Sequence, residues 1–316
     1  MFKTNMAAQT FVVLAVSAIM WLGSFIHPPL EPCEGGGHLF YWVAGLLSPT
    51  MRVVVGYVLM LAEGLMLTSM LYRHKMLPQS NMMPLLFYTL AMSVGQPTLS
   101  PALVGSFFLL FSIDQLLLTS TLLSIGQDKI FYASLSVACA TLFCPAMAVM
   151  ILPLFTNMFN YSLYGWRDWT MLILGLLAPY IVMETWFFMN DELFYRNYLI
   201  YYGLTDVEIN IDGNWMDWVA SVAFSLVVVI SIVTAMLGAQ GQIATVSKNT
   251  TAILLFITGG LAMSFYSALL PVDTVAYAVP FAFGATMLFT GVRHERWIHT
   301  LLFVLLILIF VVWNWI

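Results

Sequence analysis

Apolar runs of membrane-crossing length fill this chain, and its ten basic residues are sorted between the gaps that separate them. Lys3, Arg73, Lys75, Lys129, Arg167, Lys248, Arg293 and Arg296 fall in alternate gaps, and only Arg52 and Arg196 fall in the opposite set. That alternation is the positive-inside bias of inner-membrane proteins, so it constrains the number and the direction of the passes together. Charged residues make up 8% of the chain and hydrophobic residues 61%, whereas a soluble domain is about 25% charged. An aqueous core could not hide this much apolar surface, so the solvent is lipid. The reading is a single integral membrane domain over residues 1–316.

A helix needs roughly 20 apolar residues to cross a bilayer. The candidate spans are 9–26, 51–72, 82–97, 101–125, 130–143, 145–161, 169–189, 216–238, 251–270, 273–291 and 297–316. The first is read as a spanning helix rather than a signal peptide, because His27-Pro28-Pro29 is a poor cleavage site. Pro97, Pro101, Pro145 and Pro153 punctuate the short spans of the middle region. The run 130–161 is too long for one pass and is broken at Cys144-Pro145, which predicts a tight helical hairpin. Charge parity supports two passes there. With one pass, Lys248, Arg293 and Arg296 would land on the wrong side.

The expected fold is therefore all-α, a polytopic transmembrane helical bundle of about 11 spans with short Pro-punctuated hairpins. Its N-terminus is expected in the cytoplasm of a bacterium and its C-terminus in the periplasm. Segment 38–48 is apolar and aromatic but too short to span, and Tyr41 and Trp42 suit an outer interfacial helix. The longest polar loop, 190–215, is expected outside and carries Asp191, Glu192, Asp206, Glu208 and Asp212.

The first outer loop runs His27-Pro-Pro-Leu-Glu31-Pro-Cys33-Glu34-Gly-Gly-Gly-His38. Carboxylates at the water interface can act as a general base, which makes Glu31 and Glu34 the candidate catalytic pair. The same oxygens suit Mg²⁺ or Mn²⁺. His38, Arg52 and Arg196 on the outer side, and Arg167 in the inner turn Tyr161–Trp169, are the candidates for binding substrate or a lipid phosphate. Glu63 and Asp114 lie inside spans, where acids are costly and point to function. Both are expected near mid-depth, and no Lys or Arg occupies a span centre to serve as a buried countercharge. Each therefore reads as a proton relay or as a neutral carboxyl clamping two helices.

Other chemistries are disfavoured. The chain has no Walker A, GxGxxG, HExxH or GxSxG motif, and no Cys/His spacing of a zinc site among Cys33, Cys139 and Cys144. No basic patch is large enough to favour a nucleic acid.

Two stretches carry a family resemblance: Lys129-Ile-Phe-Tyr-Ala-Ser-Leu-Ser-Val-Ala-Cys-Ala-Thr-Leu-Phe-Cys-Pro145, and Tyr164-Gly-Trp-Arg167-Asp-Trp169 followed by Leu174-Gly-Leu-Leu-Ala-Pro179-Tyr180. The order of short span, break, second span, Arg-x-Trp turn and Gly-Leu-x-x-Pro-Tyr resembles a Gram-negative inner-membrane family catalogued as a domain of unknown function. More distantly, the first loop and the interfacial helix after it are similar to polytopic glycosyltransferases that use polyprenyl-phosphate sugars. That likeness implies a catalytic acid at Glu31 or Glu34, with Glu-x-x-Glu in place of the usual Asp-Glu pair.

The expected function is an envelope-glycan or lipid-modifying transferase, acting at the periplasmic face on a donor linked to a lipid phosphate. The alternatives are a non-catalytic subunit of an envelope assembly or secretion complex, with envelope proteins as partners, and a proton-coupled transporter or flippase using Glu63 and Asp114. An enzyme depends on the loop acids, a transporter on the intramembrane acids, and a subunit on neither.

Overall fold

The structure, a computed structural model, describes residues 6–33, 36–76, 82–92, 98–119, 127–191, 244–266, 278–279 and 281–286. Among these residues every regular element is helical. The helices are α1 (Met6–Ile26), α2 (His38–Leu46), α3 (Pro49–Arg73), α4 (Met83–Met92), α5 (Pro101–Thr119), α6 (Gln127–Phe143), a 3-10 helix (Pro145–Met150) running into α7 (Ile151–Asn160), α8 (Trp166–Met189) and α9 (Ala244–Tyr266). Of these, α3, α5 and α8 are long and apolar enough to cross a membrane. The spans expected at 216–238 and 297–316, residues 273–277, 280 and 287–291 of the span 273–291, and the loop 192–215 lie outside the described residues.

Local chemistry explains the boundaries. Ser48 caps α3 by accepting from the Met51 amide at 3.3 Å, and Pro49 follows at the first helical position. At the other end of α3, the Lys75 amide reaches the Tyr72 carbonyl and the Met76 amide reaches Leu71. Lys75 sits at φ 55°, so this is a Schellman stop built on a non-glycine residue. The expected break at Cys144-Pro145 is present. Cys144 is extended, and Pro145 opens the 3-10 helix. The start of α8 differs from expectation. Gly165 is its N-cap, so Arg167, Asp168 and Trp169 form the first helical turn rather than a connecting loop. Asp168 there complements the helix dipole.

Helix directions follow from a few contacts. α3 and α5 run parallel, because Gly56 meets the Leu99 backbone near the start of α5 while Arg73 meets Asp114 near its end. α6 returns antiparallel to α5, with Gly105 beside Met147 and the Ala140 carbonyl. α6 and α8 run parallel, since Gly175 packs on Phe131 and Ser134 while Tyr180 Oη is 2.5 Å from Thr141 Oγ1. The segment between them, the 3-10 helix and α7, must therefore cross back. The chain thus turns at Cys144-Pro145, where the break was expected.

The outcome is a sorting of charge by end. Arg73, Lys75, Lys129 and Arg167 gather at one end of the bundle. Lys248 joins them, because its carbonyl accepts from Asn160 at the end of α7. This is the basic end. The opposite end, here the loop end, holds residues 27–33 and 36–48 and the end of α8, with Glu31, Arg52 and Asp191. The core between the ends is apolar, with Met60, Leu67, Phe87, Leu110, Val137 and Leu154 fully buried.

Candidate functional site

The first loop is tied to the bundle through glycine. The Gly37 amide donates to the Phe143 carbonyl at 2.7 Å, satisfying a C-terminal carbonyl of α6. A Cβ on Gly37 would lie 2.1 Å from the Leu142 carbonyl oxygen, so only glycine permits this approach. α2 begins at once, over the short apolar segment expected from 38. It buries Phe40 and Ala44 and leaves Tyr41 and Trp42 exposed. His38 opens α2 on the exposed side, its ring edge-on to Phe187 of α8 at 4.9 Å between centroids. α2 thus lies across the ends of α6 and α8.

Beside this loop sits Arg52, in the first turn of α3 and only 6% exposed. Its Nη2 donates to the Leu30 carbonyl at 2.6 Å. Its Nε is buried without a hydrogen-bond partner. The ion pairs among the described residues are those of Arg73 and His74 with Asp114, so no described carboxylate balances Arg52. A buried guanidinium is costly unless it is paired, and this one shares its position with the positive end of a helix dipole. Glu31 follows Leu30 directly and is exposed. The chain therefore places an anion-seeking group and a solvent-facing carboxylate on either side of one peptide carbonyl.

The other expected residues distribute differently. Glu34, the second candidate carboxylate and metal ligand, and Arg196 lie outside the described residues. Among the described residues no three His, Cys, Asp or Glu side chains gather as a metal site. Arg167 is exposed at the basic end, 5.8 Å from the Trp166 ring centroid, and does not share a site with His38 and Arg52.

The two intramembrane acids part company. The expectation that neither has a countercharge is corrected for Asp114. Arg73 Nη1 lies 3.0 Å from Asp114 Oδ2, and His74 Nε2 lies 3.2 Å from Oδ1. The expected mid-depth position is corrected with it. Asp114 stands level with the last turn of α3, at the basic end, where a long Arg side chain reaches back to it. Glu63 is deep, fully buried, and bonded to hydroxyls. Tyr88 of α4 donates to its Oε2, and Ser106 of α5 lies 2.8 Å from the same oxygen. Tyr88, Ser106 and His74 were not singled out from the sequence, and Arg73 was read only as a marker of sidedness. The available signal was hydroxyl residues inside apolar runs and a basic pair at a span end.

No protein-family model, curated protein or solved structure matches the chain.

Proposed function

We propose that the chain binds a lipid phosphate at the loop end and acts there as a transferase on a donor carried by that lipid. The observation that carries this reading is the buried Arg52 guanidinium, held by Leu30 at one corner and unpartnered at Nε. Guanidinium groups recognise phosphate through paired N–H donors. The position, one turn inside a helix that starts beside the interfacial α2, suits a head group whose acyl or prenyl chain stays in lipid. In the proposed reaction Glu31 takes the proton of an acceptor hydroxyl as its oxygen attacks the donor. The bond from the transferred group to the phosphate oxygen breaks, and the leaving phosphate keeps the electron pair beside Arg52. The alternative role for Glu31 is to hold, with Glu34, a Mg²⁺ or Mn²⁺ ion that bridges to the phosphate instead of taking the proton, and chelation of the purified protein tests it.

Native mass spectrometry of the full chain with a polyprenyl monophosphate tests the reading. Arg52→Gln is expected to weaken binding by about 30-fold, the equivalent of roughly 2 kcal/mol for a lost charge-assisted hydrogen bond. Arg167→Gln, at the opposite end, leaves it unchanged. Glu31→Gln is expected to keep binding and abolish transfer. Equal binding by wild type and Arg52→Gln overturns the site, and full transfer by Glu31→Gln overturns the catalytic role.

A further inference from the structure

The Glu63 cluster stands apart from the loop end and takes no part in the reaction proposed there. Along α3 it is 10 residues from Arg73 and 11 from Arg52, roughly 15 Å from either at 1.5 Å per residue. Three helices meet on it: Glu63 from α3, Tyr88 from α4 and Ser106 from α5. Gly64 clears the approach of α4, since a Cβ there would lie 2.4 Å from Leu85 Cδ1.

Counting hydrogens identifies the occupant. Tyr88 gives its one hydroxyl hydrogen to Glu63 Oε2. Ser106 Oγ also has one hydrogen but two acceptors at 2.8 Å, Glu63 Oε2 and the Leu103 carbonyl. An extra hydrogen on the carboxyl satisfies all three contacts, with Glu63 donating to Ser106 and Ser106 donating to Leu103. Glu63 Oε1 is buried with no donor. As half of a carboxylate it would be an unsolvated anionic oxygen with no described cation in reach, whereas as a neutral carbonyl oxygen it costs far less. The groups facing the carboxyl from α4 and α5 are hydroxyls, and the nearest charges on its own helix are the distant Arg52 and Arg73.

We propose that Glu63, Tyr88 and Ser106 form an intramembrane proton-binding site, in which a neutral carboxyl joins α3 to α4 and α5. The bound proton is the ligand, and it is what allows the three helices to close on one another. Loss of the proton leaves an anion with too few donors, so deprotonation requires α4 or α5 to part from α3.

Infrared spectroscopy of the full chain in lipid at neutral pH tests this. Wild type minus Glu63→Gln is expected to show the carbonyl stretch of a protonated carboxylic acid. Tyr88→Phe, which keeps the ring and removes one donor to the carboxyl, is expected to shift that band. Asp114→Asn leaves it in place. A lipophilic carbodiimide, which reacts with protonated carboxyls, is expected to give an adduct on the peptide containing Glu63 in wild type. Carboxylate bands in place of the carbonyl stretch overturn the proposal, as does an unshifted band in Tyr88→Phe. Loss of the band on adding Na⁺ does so too, by showing a metal cation as the ligand. If Glu63→Gln fails to fold, the Tyr88→Phe shift and the adduct decide.

Discussion

Arg73 and Asp114 lie 3.0 Å apart across the α3–α5 contact, and they hold the basic end of two parallel helices in register. The Arg73 side chain is 54% exposed and that of Asp114 only 10%. A half-exposed pair of this kind contributes modestly. A double-mutant cycle of Arg73→Ala and Asp114→Ala, read by thermal unfolding in detergent, should give a coupling of about 0.5–1 kcal/mol. Asp114→Ala alone should cost more than Arg73→Ala alone, because it also strands the buried His74. The reverse order would mean that the His74 contact contributes nothing.

Gly37 and Gly45 flank the interior of α2 and should respond oppositely to alanine. At Gly37 the new methyl meets the Leu142 carbonyl, a backbone atom that cannot step aside, and the loop must lift off α6. The expected loss is about 1–3 kcal/mol. At Gly45 nothing lies within 4 Å, and alanine in a helix is favoured over glycine by about 0.5–1 kcal/mol. Equal melting temperatures for the two variants would refute the close loop contact.

Tyr161 caps the end of α7 and lies 3.3 Å from Asn249 Oδ1 through its hydroxyl. Burial pushes its phenol well above the ordinary value of 10.0. The folded chain therefore keeps a proton that the unfolded chain releases. The contribution is fully present below about pH 10 and falls away as pH rises beyond it. Tyr161→Phe should flatten this alkaline decline while changing neutral-pH stability little. An unchanged alkaline limb would mean that the phenol is solvated.

Single cysteines at 129, 167 and 248, placed in a cysteine-free background, should all label from one face of the membrane. Cysteines at 31 and 191 should label from the other face. The positive-inside bias predicts that the first group faces the cytoplasm. Labelling of position 248 from the same side as position 31 would break the two-pass reading of 130–161.

The helical segmentation of the described residues was legible because it rests on one-dimensional quantities. Length and hydropathy mark a span, proline marks its break, and the sign of a loop marks its side. The hairpin at Cys144-Pro145, the α2 segment beginning at His38 and the grouping of Lys129 with Arg167 all follow from such quantities. The helix start at Trp166 was missed by three residues, because interfacial aromatics and a charged pair read equally well as a turn.

The sequence alone determined a helical chain whose apolar runs are long enough to cross a membrane, because lipid leaves the backbone no partner but itself, and among the described residues it grouped Arg73, Lys75, Lys129, Arg167 and Lys248. It also marked Glu63, Asp114, Arg52 and the first loop as places where polar groups are out of keeping with their surroundings. Which partner each one meets was decided only by tertiary structure. Glu63 and Asp114 look alike along the chain, yet one is closed in by Tyr88 and Ser106 and the other is paired with Arg73 and His74. Arg52 likewise becomes a buried, half-satisfied cation only because Leu30 folds back onto it. These pairings join residues 22 to 43 positions apart. The packing angles and register of whole helices set them, and no local pattern in the chain encodes them.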